Sequence, residues 1–307
     1  MKTFSQSASW TVYRRLLADE FGLVLTREPK ENWLRVRGHH VRVDEWLPQG
    51  EAKGTVILVH GGGGNGRILA PAAEPIVELG WRVISPDLPG YGLTETAPEY
   101  DWDYAEWPSV IAAIADSQAG TVVLMGLSMG GLTAFFAAQQ SAHVSGVIAT
   151  TLLDLSDPKI FSLAARWRWL GHLSRFSMKT IPWLFDRVRM PLSLATPLKA
   201  MSSSRAMQRY FADDKLIGAS WKPARFFRTV HQYRAQNWQL DCPLLLVHPG
   251  ADSWTPTAQS KAVYDRIKAD KQFVELTNGS HLPVEQPAYQ ELAIAIGKFL
   301  RSVAGKG

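Results

Sequence analysis

Apolar residues follow two different spacings in the first half of the chain. Four short segments rich in apolar residues occur there, at residues 55–60, 81–85, 121–125 and 144–149, and the first of them is a continuous apolar run. Runs of this kind are typical of strands that are buried on both faces of a sheet. Between them, apolar residues recur at helical spacing, at residues 68–79, 105–117 and 128–140. The pattern therefore predicts strands that alternate with helices.

The same alternation returns near the end of the chain. Patterns for a strand, a helix, a strand and a helix follow one another at residues 243–248, 257–269, 272–276 and 285–303. Upstream, residues 33–47 alternate between apolar and polar around Gly38, which predicts an antiparallel hairpin. Because strands that are joined through helices pair in parallel, we expect an α/β protein whose mostly parallel central sheet is flanked by helices on both faces.

Residues 153–241 interrupt this alternation. They contain no clear apolar strand run, and Leu163, Trp167 and Leu170 fall on one face of a helix. Prolines divide the segment into short pieces, at positions 182, 191, 197 and 223. We interpret the segment as a helical cap inserted between two strands of the sheet. The alternative interpretation is that its helices simply complete the hydrophobic core.

This interpretation divides the chain into three parts. The sheet and its helices comprise residues 33–152 and 242–307, and the cap comprises residues 153–241. Residues 1–32 form an N-terminal extension that we expect to be helical. The extension matches no known motif, so the sequence leaves its role open.

Composition excludes several classes of protein. With 307 residues, of which 46% are hydrophobic and 20% charged, the chain is suited to a sizeable core and is not disordered. Cys242 is the single cysteine, which excludes an internal disulfide framework and a zinc site made of several cysteines. No apolar run reaches the ~18 residues that a membrane span needs, and the first residues lack the apolar core of a signal peptide. We therefore expect a cytoplasmic protein.

The positive charge is concentrated in the predicted cap. The formal net charge is +5, but residues 153–241 hold 15 basic and 6 acidic residues, so the rest of the chain is slightly acidic. Helical surfaces rich in arginine are common in proteins that have no anionic partner. Because no nucleic-acid-binding motif accompanies the charge, we expect no nucleic-acid partner. Arginine together with tryptophan also suits weak contact between the basic cap and an anionic membrane surface.

A G-x-S-x-G pattern is the strongest chemical signal. Residues 126–130 read Gly-Leu-Ser-Met-Gly, directly after a predicted strand and before a predicted helix. A sharp turn from strand to helix needs small residues on both sides, and it presents the hydroxyl of Ser128 at the carboxyl edge of the sheet. The helix behind it offers free N–H groups to a developing oxyanion. Ser128 is therefore a candidate nucleophile; the alternative is a helix N-cap.

A serine nucleophile needs a base, and His281 is the best candidate among the eight histidines. It lies in a loop after the last predicted strand, at the same edge of the sheet as Ser128. His60, by contrast, begins a glycine-rich run, and we expect its ring to pack beneath that loop.

Two aspartates are candidates for the acid that orients the histidine. Asp252 follows the strand at 243–248 in a Gly-Ala-Asp turn, and Asp154 follows the strand at 144–149. Either one keeps the chain order serine, aspartate, histidine. We favour Asp252, because its turn presents a single side chain, and keep Asp154 as the alternative acid.

A glycine-rich loop, His-Gly-Gly-Gly-Gly-Asn-Gly, occupies residues 60–66 after the first buried strand. Its backbone can approach a ligand closely, because glycine has no side chain. One N–H group of this loop, together with that of Met129, is suited to an oxyanion hole with two donors. Binding of a nucleotide phosphate is the alternative, although the P-loop pattern G-x-x-x-x-G-K-[ST] is absent.

Taken together, these segments resemble the α/β-hydrolase superfamily. The matching pieces are ILVHGGGGNGR, ISPDLPGYGLT, VVLMGLSMGG, LLLVHPGADSWTP and NGSHLPVEQP, in the family's order and over about residues 33–303. More narrowly, the chain is similar to the lysophospholipase and monoglyceride-lipase-like branch or the serine aminopeptidase-like branch. The serine at position 128 argues against the epoxide-hydrolase and haloalkane-dehalogenase branches, which have an aspartate there.

The resemblance implies an α/β-hydrolase fold and a role for each motif residue. Ser128 would be the nucleophile, His281 the base and Asp252 the acid, with the amides of Gly62 and Met129 in the oxyanion hole. It implies no organic cofactor and no metal.

The expected function is hydrolysis of a small, apolar carboxylic ester through an acyl-enzyme. Cleavage of an amide or peptide, or of a carbon–carbon bond, is the alternative, and an inactive ligand-binding relative is a further one. We expect the cap to line the substrate pocket. Its tryptophans and methionines suggest apolar walls, namely Trp167, Trp169, Trp183, Trp221, Trp238, Met178 and Met190. The alternative is that these side chains belong to the core, as aromatic residues at helical spacing more often do. The sequence does not indicate an oligomeric state.

Overall fold

The fold, seen in a computed structural model that describes residues 3–305, is built on one large sheet. The outermost two residues of the predicted extension and of the predicted core, 1–2 and 306–307, lie outside the described residues. The described strands are β1 (Lys30–Val36), β2 (His39–Trp46), β3 (Thr55–Val59), β4 (Arg82–Pro86), β5 (Val122–Gly126), β6 (Val144–Ala149), β7 (Arg189–Pro191), β8 (Trp221–Pro223), β9 (Leu244–Pro249) and β10 (Lys271–Leu276).

Eight of these strands form the sheet, in the order β1-β2-β4-β3-β5-β6-β9-β10. The pairs β1–β2 and β2–β4 are antiparallel, and all the other pairs are parallel. The prediction of a mostly parallel central sheet is thereby confirmed. The hairpin is confirmed as well: Arg37 and Gly38 both have positive φ, at 50° and 82°, as a two-residue turn between twisted strands requires.

Helices cover both faces of the sheet. They are α1 (Ala8–Phe21), α2 (Ala70–Glu78), α3 (Glu106–Asp116), α4 (Met129–Ala138), α5 (Pro158–Ala164), α6 (Arg168–Thr180), α7 (Pro182–Phe185), α8 (Leu192–Ala195), α9 (Arg205–Asp213), α10 (Ala224–Gln232), α11 (Thr257–Arg266) and α12 (Ala288–Ala304). The predicted helix at 68–79 begins later, as α2, because Pro71 is tolerated only in a first turn, and a 3₁₀ turn precedes it. No described helix is long and apolar enough to cross a membrane.

The hydrophobic core is divided by the sheet into two parts. Along β3, Val56 and Leu58 face one part, while Ile57 and Val59 face the other. The first part also contains buried residues of α1, α2 and α12, and the second contains those of α3 and α4. Apolar side chains on both faces explain why β3 reads as an uninterrupted apolar run rather than as an alternating one.

The segment between β6 and β9 is an insertion between neighbouring strands, since β6 and β9 pair directly with each other. It holds six helices, α5–α10, as the sequence indicates. It also holds the antiparallel pair β7–β8, which the sequence analysis did not predict. Strands of three residues are too short to show a periodicity of two. The boundaries of the inserted segment at 153 and 241 stay a prediction.

Helix α1 lies in the predicted N-terminal extension and joins the sheet core to the inserted segment. Ser7 caps its first turn, and Gly22, at φ 64°, ends it in the left-handed conformation. The hydroxyl of Tyr13 donates to the carbonyl of Ile68 at 2.8 Å, and the Tyr13 ring stacks on Tyr210 of α9 with 5.4 Å between centroids. One face of α1 therefore contacts both parts of the molecule.

A buried ion-pair cluster lies under α1. Arg67, which directly follows the glycine-rich loop, donates two hydrogen bonds to Asp44, from Nε at 2.7 Å and Nη2 at 2.6 Å. Arg42 donates to the same carboxylate, and Glu31 lies within 3.1 Å of both guanidinium groups. The ring of Trp10 covers the Arg67 guanidinium at 4.7 Å. These contacts fix the downstream end of the glycine-rich loop.

Replacement of Arg67 tests this arrangement. Arg67→Met leaves the carboxylate of Asp44 buried with one cation fewer, so we expect the free energy of unfolding to fall by about 3–5 kcal/mol. The matched control is Arg14→Met, because Arg14 also lies over the Trp10 ring but pairs with Glu28 in an exposed position. The control is expected to change stability by less than about 1 kcal/mol. Urea unfolding measures both, and equal effects would contradict the account.

Candidate active site

Ser128 occupies a sharp turn between β5 and α4. Its φ and ψ are 58° and −132°, in a region that residues other than glycine rarely adopt. The turn closes because its neighbours lack side chains. A Cβ on Gly126 would lie 2.0 Å from the carbonyl oxygen of Gly130, and a Cβ on Gly130 would lie 2.1 Å from that of Val59. The spacing of glycines around Ser128 is therefore a steric requirement of the turn.

Two backbone N–H groups lie beside this turn without an acceptor. Met129 is the first residue of α4, so its amide has no partner within the helix. The glycine-rich loop passes over the turn, and a Cβ on Gly61 would lie 2.8 Å from the Cβ of Ser128. The next residue, Gly62, lies against the Met129 side chain. Neither the Gly62 nor the Met129 amide donates a hydrogen bond within residues 3–305.

His281 and Asp252 form a buried hydrogen-bonded pair. The Nδ1 atom of His281 lies 2.7 Å from Oδ2 of Asp252, and both side chains are almost completely buried. Asp252 also accepts hydrogen bonds from the amides of Trp254 and Thr255, each at 2.9 Å, and from the hydroxyl of Thr255. Burial alone would raise the pKa of Asp252, but the charge and hydrogen bond of His281, with the bonds from Thr255, lower it to about 2.

Asp154 lies elsewhere. Its Oδ1 accepts hydrogen bonds from the amide and the hydroxyl of Ser156, and its Oδ2 pairs with Arg266 at 3.0 Å. It forms no described contact with His281. Of the two candidate acids, the structure therefore brings Asp252 and not Asp154 to the histidine.

The second ring nitrogen of His281, Nε2, has no hydrogen-bond partner among the described residues. Nε2 is buried and forms no hydrogen bond within the described part of the chain, either to Ser128 or to any other residue. The ring of Trp254 lies against the imidazole, with 4.7 Å between centroids, and Trp254 lines the same cleft as Ser128. In ligand-free sites such hydrogen bonds are often long and tighten only when substrate binds.

Several supporting residues were missed by the sequence analysis. Leu282, next to His281, donates its amide to the carbonyl of Met201 in the inserted segment at 3.0 Å. Glu285 accepts from the amide of Ser280 and from the hydroxyl of Ser203. These bonds hold the histidine loop against the inserted segment. No local pattern in the sequence reveals the two bonds to Met201 and Ser203, because in each the partners are about 80 positions apart.

The cleft in front of Ser128 is apolar. No charged side chain lines it. Gly62, Ser128 and Met129 form part of its floor, and most of its wall comes from the inserted segment. Representative wall residues are Leu153, Phe161, Leu170, Phe226, Val230 and Trp254.

The expectation that tryptophans of the inserted segment form this wall was wrong. Of the seven tryptophans and methionines expected to line it, only Met190 does. Trp167, Trp169, Trp183 and Trp221 point to solvent, with 40%, 61%, 64% and 59% of their surface exposed. Met178 packs in a small apolar cluster, and Trp238 packs against Phe135 and Arg266. Helical spacing identifies a stripe but does not say whether the stripe faces inward.

His60 packs beneath the glycine-rich loop, as the sequence indicates. Its Nδ1 donates to the carbonyl of Gly61 at 2.8 Å, and its Nε2 accepts from the amide of Leu88 at 2.9 Å, so the ring is neutral. The imidazole is completely buried against the rings of Tyr91 and Trp107. Burial, with a smaller effect of the Lys222 charge, lowers the pKa of His60 to about 4.

The residues around the glycine-rich loop do not favour binding of a phosphate or a metal ion. Arg67, the cation nearest to it in sequence, is buried and bound to Asp44, so it does not face a ligand. Among residues 3–305, no group of three or more His, Cys, Asp or Glu side chains is arranged to hold a metal ion.

Comparison with known proteins identifies related sequences. A family model described as "Alpha/beta hydrolase family" matches residues 56–293. A thermostable monoacylglycerol lipase from Bacillus sp. (strain H-257) is 24% identical over 254 residues, which cover 78% of this chain and 88% of the relative. A pimeloyl-[acyl-carrier protein] methyl ester esterase from Neisseria meningitidis is also 24% identical, over 74% of this chain and 71% of the relative.

Solved structures with a similar fold include two lipases. A soluble variant of monoglyceride lipase from Saccharomyces cerevisiae aligns with a TM-score of 0.73 at 16% identity, over 92% of this chain and 98% of that one. The monoacylglycerol lipase of Paleococcus ferrophilus aligns with a TM-score of 0.65 at 20% identity, over 86% and 99%. At these identities the likeness shows the fold alone.

The buried state of His60 predicts a pH dependence of stability. Its pKa is near 6.5 in the unfolded chain and about 4 in the folded protein, so its contribution is complete above pH 6.5 and is lost as the pH falls towards 4. The loss amounts to about 3 kcal/mol. Urea unfolding between pH 7.5 and 4 should therefore give a flatter curve for His60→Gln than for the unmodified protein. The exposed residue His143 provides the control His143→Gln, which should follow the unmodified protein.

Proposed function

Because the chain belongs to the alpha/beta hydrolase family, we propose that it is a serine hydrolase that cleaves carboxylic esters through an acyl-enzyme. The observation that supports this most directly is the His281–Asp252 pair, in which Nε2 of His281 forms no hydrogen bond within the described residues and the imidazole packs against Trp254 in the wall of the Ser128 cleft. The curated relatives that act on esters, a monoacylglycerol lipase and a methyl ester esterase, agree with this choice.

In the proposed first step, the hydroxyl oxygen of Ser128 attacks the ester carbonyl. His281 takes the hydroxyl proton on Nε2, while Asp252 holds the proton on Nδ1 and stabilises the imidazolium. The carbonyl oxygen becomes an oxyanion, which accepts hydrogen bonds from the amides of Gly62 and Met129. When the carbon–oxygen bond of the tetrahedral intermediate breaks, His281 returns the proton to the leaving alcohol and Ser128 keeps the acyl group.

In the second step, water replaces the alcohol. His281 takes a proton from water, the resulting hydroxide oxygen bonds to the acyl carbon, and the same two amides bind the new oxyanion. Breakage of the bond to Ser128 then returns the proton to the serine and releases the carboxylic acid. Ser128, His281, the ester and one water molecule account for every proton, so the proposal needs no cofactor.

The lining of the cleft favours an ester with an apolar acyl group over the alternatives. An aminopeptidase substrate carries an ammonium group, and a vinylogous keto acid carries a carboxylate; both need a charged or strongly polar partner when buried. No charged side chain lines the cleft, and its walls are aliphatic and aromatic. A small apolar ester can be buried there without leaving a charge unpaired.

Three substitutions test the residue roles. Ser128→Ala should abolish both turnover of p-nitrophenyl butyrate and labelling by a fluorophosphonate probe, since only an activated serine reacts with the probe. Asp252→Asn should lower kcat by a factor on the order of 10³–10⁴. The imidazole of His281 is then no longer held in the correct tautomer, and its protonated form has no counter-charge. Asp154→Asn is the matched control and should leave kcat within about twofold, since Asp154 contacts neither Ser128 nor His281.

Two outcomes would contradict these roles. Full turnover by Ser128→Ala would remove the serine from the mechanism. An intact wild-type protein that neither reacts with the probe nor hydrolyses any ester would favour the inactive, ligand-binding alternative.

A substrate series tests the acyl preference. Each buried methylene is worth about 0.8 kcal/mol, so kcat/KM for p-nitrophenyl butyrate should exceed that for the acetate about tenfold. Leucine p-nitroanilide, which carries an ammonium group, should be hydrolysed far more slowly than either ester. Faster cleavage of the anilide would instead support the aminopeptidase alternative, and cleavage of a vinylogous diketone would support the carbon–carbon alternative.

A further inference from the structure

The outer surface of α6 carries an apolar stripe. Trp169, Leu173 and Phe176 follow one another at i, i+4 and i+7, and their exposed fractions are 61%, 51% and 66%. The stripe continues onto α7, where Trp183 and Leu184 are also exposed. These five residues are called the aromatic face. Eight of the fourteen large hydrophobic residues that are exposed in the described part of the chain lie between positions 163 and 184.

A basic stripe runs beside the aromatic face on the same helix. Arg168, His172, Arg175 and Lys179 follow one another at helical spacing. No aspartate or glutamate occurs between Asp157 and Asp186, whereas that stretch holds five Lys and Arg residues. None of these five forms an ion pair with a described carboxylate, so their charges are not neutralised within residues 3–305. The five cations are Lys159, Arg166, Arg168, Arg175 and Lys179.

The opposite side of α6 faces the cleft. Leu170, Gly171 and Ser174 line it together with Ser128. A helix with its side chains is about 10–12 Å across, so the aromatic face lies roughly one helix diameter from the cleft. The same helix therefore separates the cleft from the exposed apolar surface.

We propose that the aromatic face and the basic stripe dock this protein on an anionic lipid surface, with α6 lying in the plane of the membrane interface. A helix with tryptophan, phenylalanine and leucine on one side and arginine and lysine beside them has the composition of an interfacial helix. The apolar side chains enter the boundary of the acyl chains, and the cations contact lipid phosphates. An exposed apolar patch made of five large side chains indicates a binding partner.

The charge pattern favours a membrane over a second copy of this chain. In a symmetric dimer the same patch faces itself, so the five cations of one copy would meet those of the other with no carboxylate between them. An anionic bilayer satisfies the apolar and the cationic parts of the surface together.

Sedimentation with lipid vesicles tests the proposal on the full chain. We expect binding to vesicles of phosphatidylcholine that contain phosphatidylglycerol, weaker binding as salt is added, and little binding to phosphatidylcholine alone. Trp169→Ser/Phe176→Ser and Arg168→Glu/Lys179→Glu should each lower the partition coefficient at least about tenfold. Because sedimentation involves no turnover, its result is independent of the proposed hydrolysis.

The controls come from α12, on the sheet core. Ile294 is an exposed apolar residue and Lys298 an exposed cation, so Ile294→Ser and Lys298→Glu make the same chemical changes away from the aromatic face. Both should leave the partition coefficient within about twofold. Near-ultraviolet circular dichroism establishes that each variant is folded.

Four results would overturn the proposal. The first is no binding to anionic vesicles at low ionic strength. The second is equal loss of binding in the α12 controls. The third is equal binding to neutral and anionic vesicles. The fourth is a dimer in solution that is lost in Trp169→Ser/Phe176→Ser, which would assign the aromatic face to a second copy of the chain.

Discussion

The structure depends on a close approach of backbone segments around Ser128. The end of β3, the glycine-rich loop and the start of α4 meet where Gly61, Gly126 and Gly130 leave no room for side chains. This contact holds Ser128 at a positive φ and sets the amides of Gly62 and Met129 beside it without acceptors. The strain at Ser128 persists because the strand before it and the helix after it are both fixed by the core. A larger residue at these glycines would push the loop away from the turn and separate the groups that the proposed mechanism uses.

The inserted segment both lines the cleft and supports the loop that carries His281. It provides most of the apolar wall of the cleft, and through the carbonyl of Met201 it supports the loop that carries His281. It is held to the sheet core by α1, through the stacked rings of Tyr13 and Tyr210, and by Lys222, whose ammonium group donates to the carbonyl of Gly90 at 2.6 Å. The N-terminal helix, for which the sequence offers no motif, thus stabilises the position of the segment that covers the cleft.

Much of the fold follows from local patterns, and the exceptions have identifiable causes. Short segments rich in apolar residues predict β3, β5, β6 and β9 closely, because strands buried on both faces favour apolar side chains. The pair β7–β8 was not predicted, since three residues show no periodicity. Within the candidate site, the turn at Ser128 and the packing of His60 could be predicted from the glycines near them in the sequence. The roles of Trp254 and Met201 have no such local signal, because their partners, His281 and Leu282, are brought near only by folding.

The sequence by itself determined the parallel sheet, the tight turn at Ser128 and the short list of candidates for its partners. These features rest on hydrophobic periodicity and on backbone sterics, which act over a few neighbouring residues. Tertiary structure alone brings Asp252, and not Asp154, to His281, because both aspartates keep the same chain order and only the packed loops distinguish them. It also decided which side of α6 faces the cleft. A helical stripe has the same spacing whether it is buried or exposed: Trp169 of α6 lies on the surface, while the smaller Leu170, Gly171 and Ser174 of the same helix line the cleft.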